Sequence, residues 1–131
     1  MQRLFIILLT TLFTSIIYGQ NIIPHKLKPD STSFSNVFVK KLGEDNNQST
    51  YAIWVKNEVK PHYHANHTEY IQVVSGKGRM TLNNKTFDIK KGDAVLIPKD
   101  SVHSVITLSR KPLKVISVQS PIFNGDRIWV K

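Results

Sequence analysis

From about residue 34 onward, short runs rich in β-branched and aromatic residues alternate with turn clusters, and this punctuation limits the fold more than any other feature. Val37 to Leu42 is broken by Gly43-Glu44-Asp45-Asn46-Asn47, and Thr50 to Val55 follows. Thr68 to Val74 ends at Ser75-Gly76-Lys77-Gly78. Arg79 to Leu82 and Thr86 to Ile89 flank Asn83-Asn84, a two-residue hairpin turn, because Asn tolerates positive φ. Lys90-Lys91-Gly92-Asp93 precedes Ala94 to Ile97; Val102 to Leu108, Leu113 to Ser120 and Arg127 to Val130 complete the series. No window of helical length keeps a 3.6-residue period, and Pro61, Pro98, Pro112 and Pro121 interrupt the remaining candidates. About eight or nine short strands at this spacing predict an all-β sandwich or barrel.

With 131 residues there is room for one domain. Its start is set by the first nineteen residues. Arg3 gives a positive start, Leu4 to Leu9 with Leu12, Phe13, Ile16 and Ile17 give an apolar centre, and Tyr18-Gly19-Gln20 offers a small residue for cleavage. Thr10, Thr11, Thr14 and Ser15 interrupt the apolar stretch, which falls short of the ~20 residues of a spanning helix. The expectation is a cleaved signal peptide over residues 1–19, with a retained anchor as the alternative, and hence an exported, periplasmic or extracellular protein. Residues 20–33 read as a tether or irregular strand, and residues 34–131 as the folded domain. No cysteine is present, so neither disulfides, thiolate ligands nor a lipidated N-terminal Cys can occur. Eighteen Lys and Arg against nine Asp and Glu give +9. The lysines are scattered over turns and strand ends, without the aromatic-interleaved basic stripe of a nucleic-acid module. They imply a solvated basic surface or the steering of an anionic small substrate.

Against this β background stand His62-x-His64-x4-Glu69 and, later, His103. Imidazole and carboxylate together suit divalent first-row metals such as Fe, Mn, Ni, Cu or Zn. On a strand, His62 and His64 project from one face and Tyr63 from the other. Glu69 lies five residues beyond His64, so a turn or bulge within Ala65-Asn66-His67-Thr68 must restore its parity. Glu69, Ile71 and Val73 then share a face, as do His103, Val105 and Thr107, each placing a ligand above smaller or apolar residues. His67 has the parity of Glu69 and is a rival ligand or a neighbour of the site; His25, in the tether, reads as an exposed histidine. Burying Glu69 beside three imidazoles without a cation would leave its charge poorly compensated.

The segment Pro61-His62-Tyr63-His64-Ala65-Asn66-His67-Thr68-Glu69 through Gly76 resembles the first motif of the cupins, and Gly92-Asp93-Ala94-Val95-Leu96-Ile97-Pro98 through His103 resembles their second. The fifteen intervening residues are similar to the short spacing of compact microbial cupins. The resemblance covers roughly residues 36 to 120, with two gapped motifs in order and register. It implies a double-stranded β-helix, or jelly-roll barrel, with a metal held near its mouth by His62, His64, Glu69 and His103. Three positions depart from the motif: Lys56 and Asp100 stand where glycines are usual, and Thr107 where asparagine is usual. All three are turn or strand-end positions rather than ligands.

A metal held by three His and one Glu leaves one or two positions for water, dioxygen or a substrate. The expectation is dioxygenase-type oxidoreductase chemistry on a small oxygen-bearing molecule, with Glu69 also able to move a proton if it detaches. The alternatives are a non-catalytic metal- or ligand-binding module and a metal-dependent isomerase or decarboxylase. Tyr51, Trp54, Tyr63 and Tyr70 are pocket candidates that parity alone does not place. Sheet edges that need covering, together with the pairing common among cupins, imply a homodimer.

Overall fold

A computed structural model describes residues 26–131; the expected signal peptide (residues 1–19) and His25 lie outside the described residues. Among the described residues the chain forms ten strands: β1 (Val37–Glu44), β2 (Ser49–Val55), β3 (Glu58–His64), β4 (Thr68–Ser75), β5 (Lys77–Leu82), β6 (Lys85–Lys90), β7 (Ala94–Ile97), β8 (His103–Thr107), β9 (Leu113–Ser120) and β10 (Arg127–Trp129). They build two five-stranded sheets, ordered β1-β2-β9-β4-β7 and β10-β3-β8-β5-β6. Every pairing is antiparallel. From β2 to β5 and from β6 to β10 the chain changes sheet at every step, which makes the double-stranded β-helix expected of the sequence.

The runs read from the sequence are strands within a residue or two at either end. The Asn83-Asn84 turn joins β5 to β6, with Leu82 opposite Lys85 and Asn83 at a φ of 51°. The exception is β3, whose Glu58-Val59-Lys60-Pro61 has little β character of its own. It is held as a strand by its neighbours: Val59 pairs with Val105 and His62 with His103, and the register shifts between them where Pro61 sits. A bulge accommodates the missing Pro N–H. The Asn36 amide secures the start of β3, donating to Glu58 O (2.8 Å) and accepting from Asn57 N (3.0 Å).

Where the two sheets face each other, Val55, Ile71, Val73, Met80, Ile97 and Leu113 form the centre of the core. The outer face of β2 is covered as well. Trp54 is buried beneath Phe38, whose ring lies 5.7 Å away, and Phe38 in turn packs on Phe34. Lys114 donates to Leu27 O (2.8 Å), so the irregular segment before β1 is tied to the sheet.

Two of the three motif departures have local explanations. Asp100 occupies a φ of 64°, the left-handed region that makes glycine the usual residue there. Thr107 donates its hydroxyl to Val55 O (2.9 Å), fastening the end of β8 to the other sheet as a longer amide could. Gly76, which closes the first motif, has no substitute: its φ is 88°, and a Cβ would lie 2.9 Å from Leu113 Cα. Gly76→Ala should therefore cost on the order of 1–3 kcal/mol in denaturant unfolding. Gly43→Ala, where a Cβ meets nothing within 4 Å, should stay within about 0.5 kcal/mol. Equal losses for the two variants would contradict this reading.

Candidate metal centre

β3 delivers His62 and His64 to the barrel interior, and both are almost fully buried. The chain then bends through Ala65-Asn66-His67 and crosses to the other sheet, where β4 begins at Thr68. This crossing resolves the parity problem, because Glu69 enters the same interior from the opposite wall. β8 adds His103 directly opposite His62 in the ladder. The four residues expected as ligands thus meet, from three strands.

The geometry suits a cation. One nitrogen each of His62, His64 and His103 lies within 4.8 Å of the others. Glu69 Oε2 is 3.5 Å from His64 Nε2 and 3.4 Å from His103 Nε2. Those separations are long for hydrogen bonds, but they match the ~3.4 Å edge of a tetrahedron with ~2.1 Å metal–ligand bonds. His62 Nδ1 faces Lys60 O at 2.8 Å and His103 Nδ1 faces Ser101 O at 2.9 Å. A carbonyl can only accept, so each Nδ1 carries the proton and each Nε2 keeps a free lone pair. Both nitrogens of His64 are buried without a hydrogen-bond partner. A divalent ion would satisfy one of them.

The carboxylate is fixed from behind. Ser117 donates its hydroxyl to Glu69 Oε1, and Gln119 Nε2 lies 3.4 Å from the same oxygen. Burial alone would raise the Glu69 pKa, but His103, His64 and Ser117 together hold it well below the usual carboxylate range. Burial, aided by the neighbouring His103, lowers His62 to about 4. An ionised carboxylate beside three imidazoles is a donor set that could hold a divalent transition metal.

Sequence reasoning left His67 open between ligand and neighbour, and it packs behind the site. It is 1% exposed, stacks on His64 with ring centroids 4.1 Å apart, and places Nδ1 2.8 Å from Asp126 Oδ1. Burial lowers its pKa against the opposing pull of Asp126. His64, His67 and Asp126 form a second group of close donor atoms, separate from the His62–His64–His103 set but for the shared His64. Ser117, Gln119, Asp126, Arg127 and Trp129 were all missed as site residues. For Ser117 and Gln119 the signal was present, as polar residues at the inward parity of β9. For Arg127 and Trp129 the signal is the pairing of β10, which sets them opposite His64 and His62. Directly opposed residues share a face, so both line the cavity with the ligands; none of the four aromatic pocket candidates does.

A family model for the cupin domain (Cupin_2) matches residues 50–119. An uncharacterized protein of Aquifex aeolicus is 32% identical over 99 residues, covering 76% of this chain and 81% of its own. The chain belongs to the cupin family. Its fold is shared with an uncharacterized Klebsiella pneumoniae protein containing a double-stranded beta-helix domain, at a TM-score of 0.68, 19% identity and coverage of 77% of this chain and 90% of that one. Streptomyces PAC13, solved with uridine, is also similar, with a TM-score of 0.66, 17% identity and coverage of 76% and 82%.

Two outcomes follow from this geometry. His103→Ala should lower the metal retained through dialysis by roughly tenfold or more, since even outer partners of metal ligands are worth 10–100-fold. Full occupancy in that variant would remove His103 from the ligand set. In metal-free protein, His62 titrates near 4 when folded against 6.5 when unfolded, so the unfolded chain takes up a proton that the folded one refuses as pH falls through that window. Stability should drop by on the order of 1–2 kcal/mol between about pH 7 and about pH 5, with His67 acting in the same direction. His62→Gln should shrink that difference, and denaturation midpoints identical at both pH values would refute the assignment.

Proposed function

We propose that this is an exported cupin holding a divalent transition metal, one of Fe, Mn, Ni, Cu or Zn, through His62, His64, Glu69 and His103, and that it carries out dioxygenase-type chemistry on a small oxygen-bearing molecule. One observation carries the reading: three buried imidazoles and a carboxylate held ionised converge on a common point, and His62, Glu69 and His103 also line a cavity of about 270 Å³. Any coordination position left open on the cavity side is therefore reachable by a ligand. When bound, the ion supplies Lewis-acid or redox activation of an oxygen-bearing molecule.

The chain's own residues do the rest. Lys60 O and Ser101 O fix the tautomers of His62 and His103. Ser117 and Gln119 keep Glu69 Oε1 in place, so a proton taken up at Oε2 is held without the carboxyl leaving the site. Export rests on the charge and hydropathy pattern of residues 1–19. A homodimer is supported by the apolar side chain left exposed on the edge strand β7, Leu96.

Metal analysis of protein purified from its own compartment should find about one transition ion per chain, on the ligand count. Oxygen uptake against phenolic and dicarboxylate panels should then be substrate-dependent, and Glu69→Gln should abolish it. Bound metal with no oxygen consumption on any panel would instead favour a binding module.

A further inference from the structure

The cavity beneath the metal centre has a chemistry of its own. Away from the ligands its wall is aliphatic, built from residues such as Ile53, Val55, Ile71, Met80, Val105 and Leu113, and Ser104 contributes the one hydroxyl among the lining residues. A polyhydroxylated or nucleoside ligand placed there would bury donors and acceptors against carbon, at roughly 1–3 kcal/mol for each group left unpaired. An apolar group placed there loses nothing and gains the burial.

The rim differs. Arg127 and Trp129 project from the edge strand β10 beside His64 and His62, and the Trp129 ring lies 5.1 Å from that of His62. The Arg127 guanidinium sits 5.6 Å from the Trp129 ring and takes part in no ion pair among the described residues. Asp126, its neighbour in sequence, is occupied by His67 and by Asn66 N. A free guanidinium at the mouth of an apolar cavity marks the place of an anion, and its planar fork matches a carboxylate.

We infer that the site takes a small apolar carboxylate: a single aromatic ring, or a branched aliphatic group of similar bulk, bearing one carboxyl group. An apolar cavity of about 150 Å³ accepts benzene, so about 270 Å³ holds one ring with a short substituent. The carboxylate lies at the end that carries His62, His103 and Arg127, and the apolar part extends towards Met80 and Leu113. The position of the head group rests on the metal reading above, whereas the size and polarity of the tail follow from the cavity alone. The excess of Lys and Arg over Asp and Glu attracts anions to the protein from a distance.

Titration calorimetry on the full chain, metal-loaded and metal-free, with benzoate, phenylacetate and 3-methylbutanoate as probes, tests this. Benzyl alcohol controls for the charge, and gluconate and uridine control for the tail. At least one apolar acid should bind about tenfold or more tighter than each control. Arg127→Gln, on an exposed strand, should weaken that acid about tenfold or more while leaving metal content and benzyl alcohol binding unchanged. Val39→Asp, which sets a negative charge on the cavity rim, should weaken it in the same way. Gluconate or uridine binding as tightly as the acids, or acid binding indifferent to Arg127→Gln, would overturn the inference. Stoichiometric metal with no acid bound would sink the ligand class and leave the metal centre standing. Arg127-dependent acid binding by protein that takes up no metal would sustain the ligand class and sink the metal centre.

Discussion

A carboxylate that is 6% exposed is costly to keep ionised, yet Glu69 is held in that state by groups from three other strands. Ser117 and Gln119 approach one oxygen, while His64 and His103 face the other. Burial drives His62 towards neutrality, and the Nδ1 atoms of His62 and His103 are engaged by backbone carbonyls. The ionised carboxylate thus faces Nε2 of His64 and of His103, which no backbone carbonyl engages. A cation placed among these groups would balance the carboxylate and be bound by the imidazoles at once, so the cluster is one that could hold a metal.

The same demand explains the polarity gradient of the strands. On β9 the inward positions read Leu113, Val115, Ser117, Gln119, passing from aliphatic to amide along one strand. β4 runs antiparallel beside it and reads Val73, Ile71, Glu69 in the matching direction. β8 does likewise, with His103 at the polar end and Val105 below. Three strands thus agree on which end of the barrel is polar. Slipping any of them by one residue would turn its ligand or anchor out of the interior, so the metal centre and the core specify the same register.

Most of this was legible in the chain because strand parity is a local property. The alternation of β4, β8 and β9 and the turn at Asn83-Asn84 need only neighbouring residues to be read. Parity also joined His62 to His64 and set Glu69 over Ile71. It could not show how His64 and Glu69 meet, because the chain changes sheet at Ala65-Asn66-His67, and a sheet change leaves no mark on a two-residue period. β3 escaped for a related reason: Lys60 and Pro61 oppose strand formation, and tertiary pairing with β8 overrides them. Arg127 and Trp129 belong to a strand of three residues, whose inward face is settled by its partner rather than by its own pattern.

Asp126 shows how the closing strand is kept in that register. Its Oδ2 accepts from Asn66 N at 2.6 Å, its backbone oxygen accepts from Ala65 N at 3.4 Å, and its Oδ1 faces His67. All three contacts fall on the crossing that joins β3 to β4, so the segment that brings Glu69 towards His64 is also the one that anchors the start of β10. Once Asp126 is fixed, Arg127 follows opposite His64 and Trp129 opposite His62. The buried His67, stacked between His64 and this anchor, fills the space between the ligand set and the closing strand with a polar ring. The bend that brings Glu69 towards His64 and the start of β10, which carries Arg127 to the cavity rim, are therefore tied together through Asn66, His67 and Asp126.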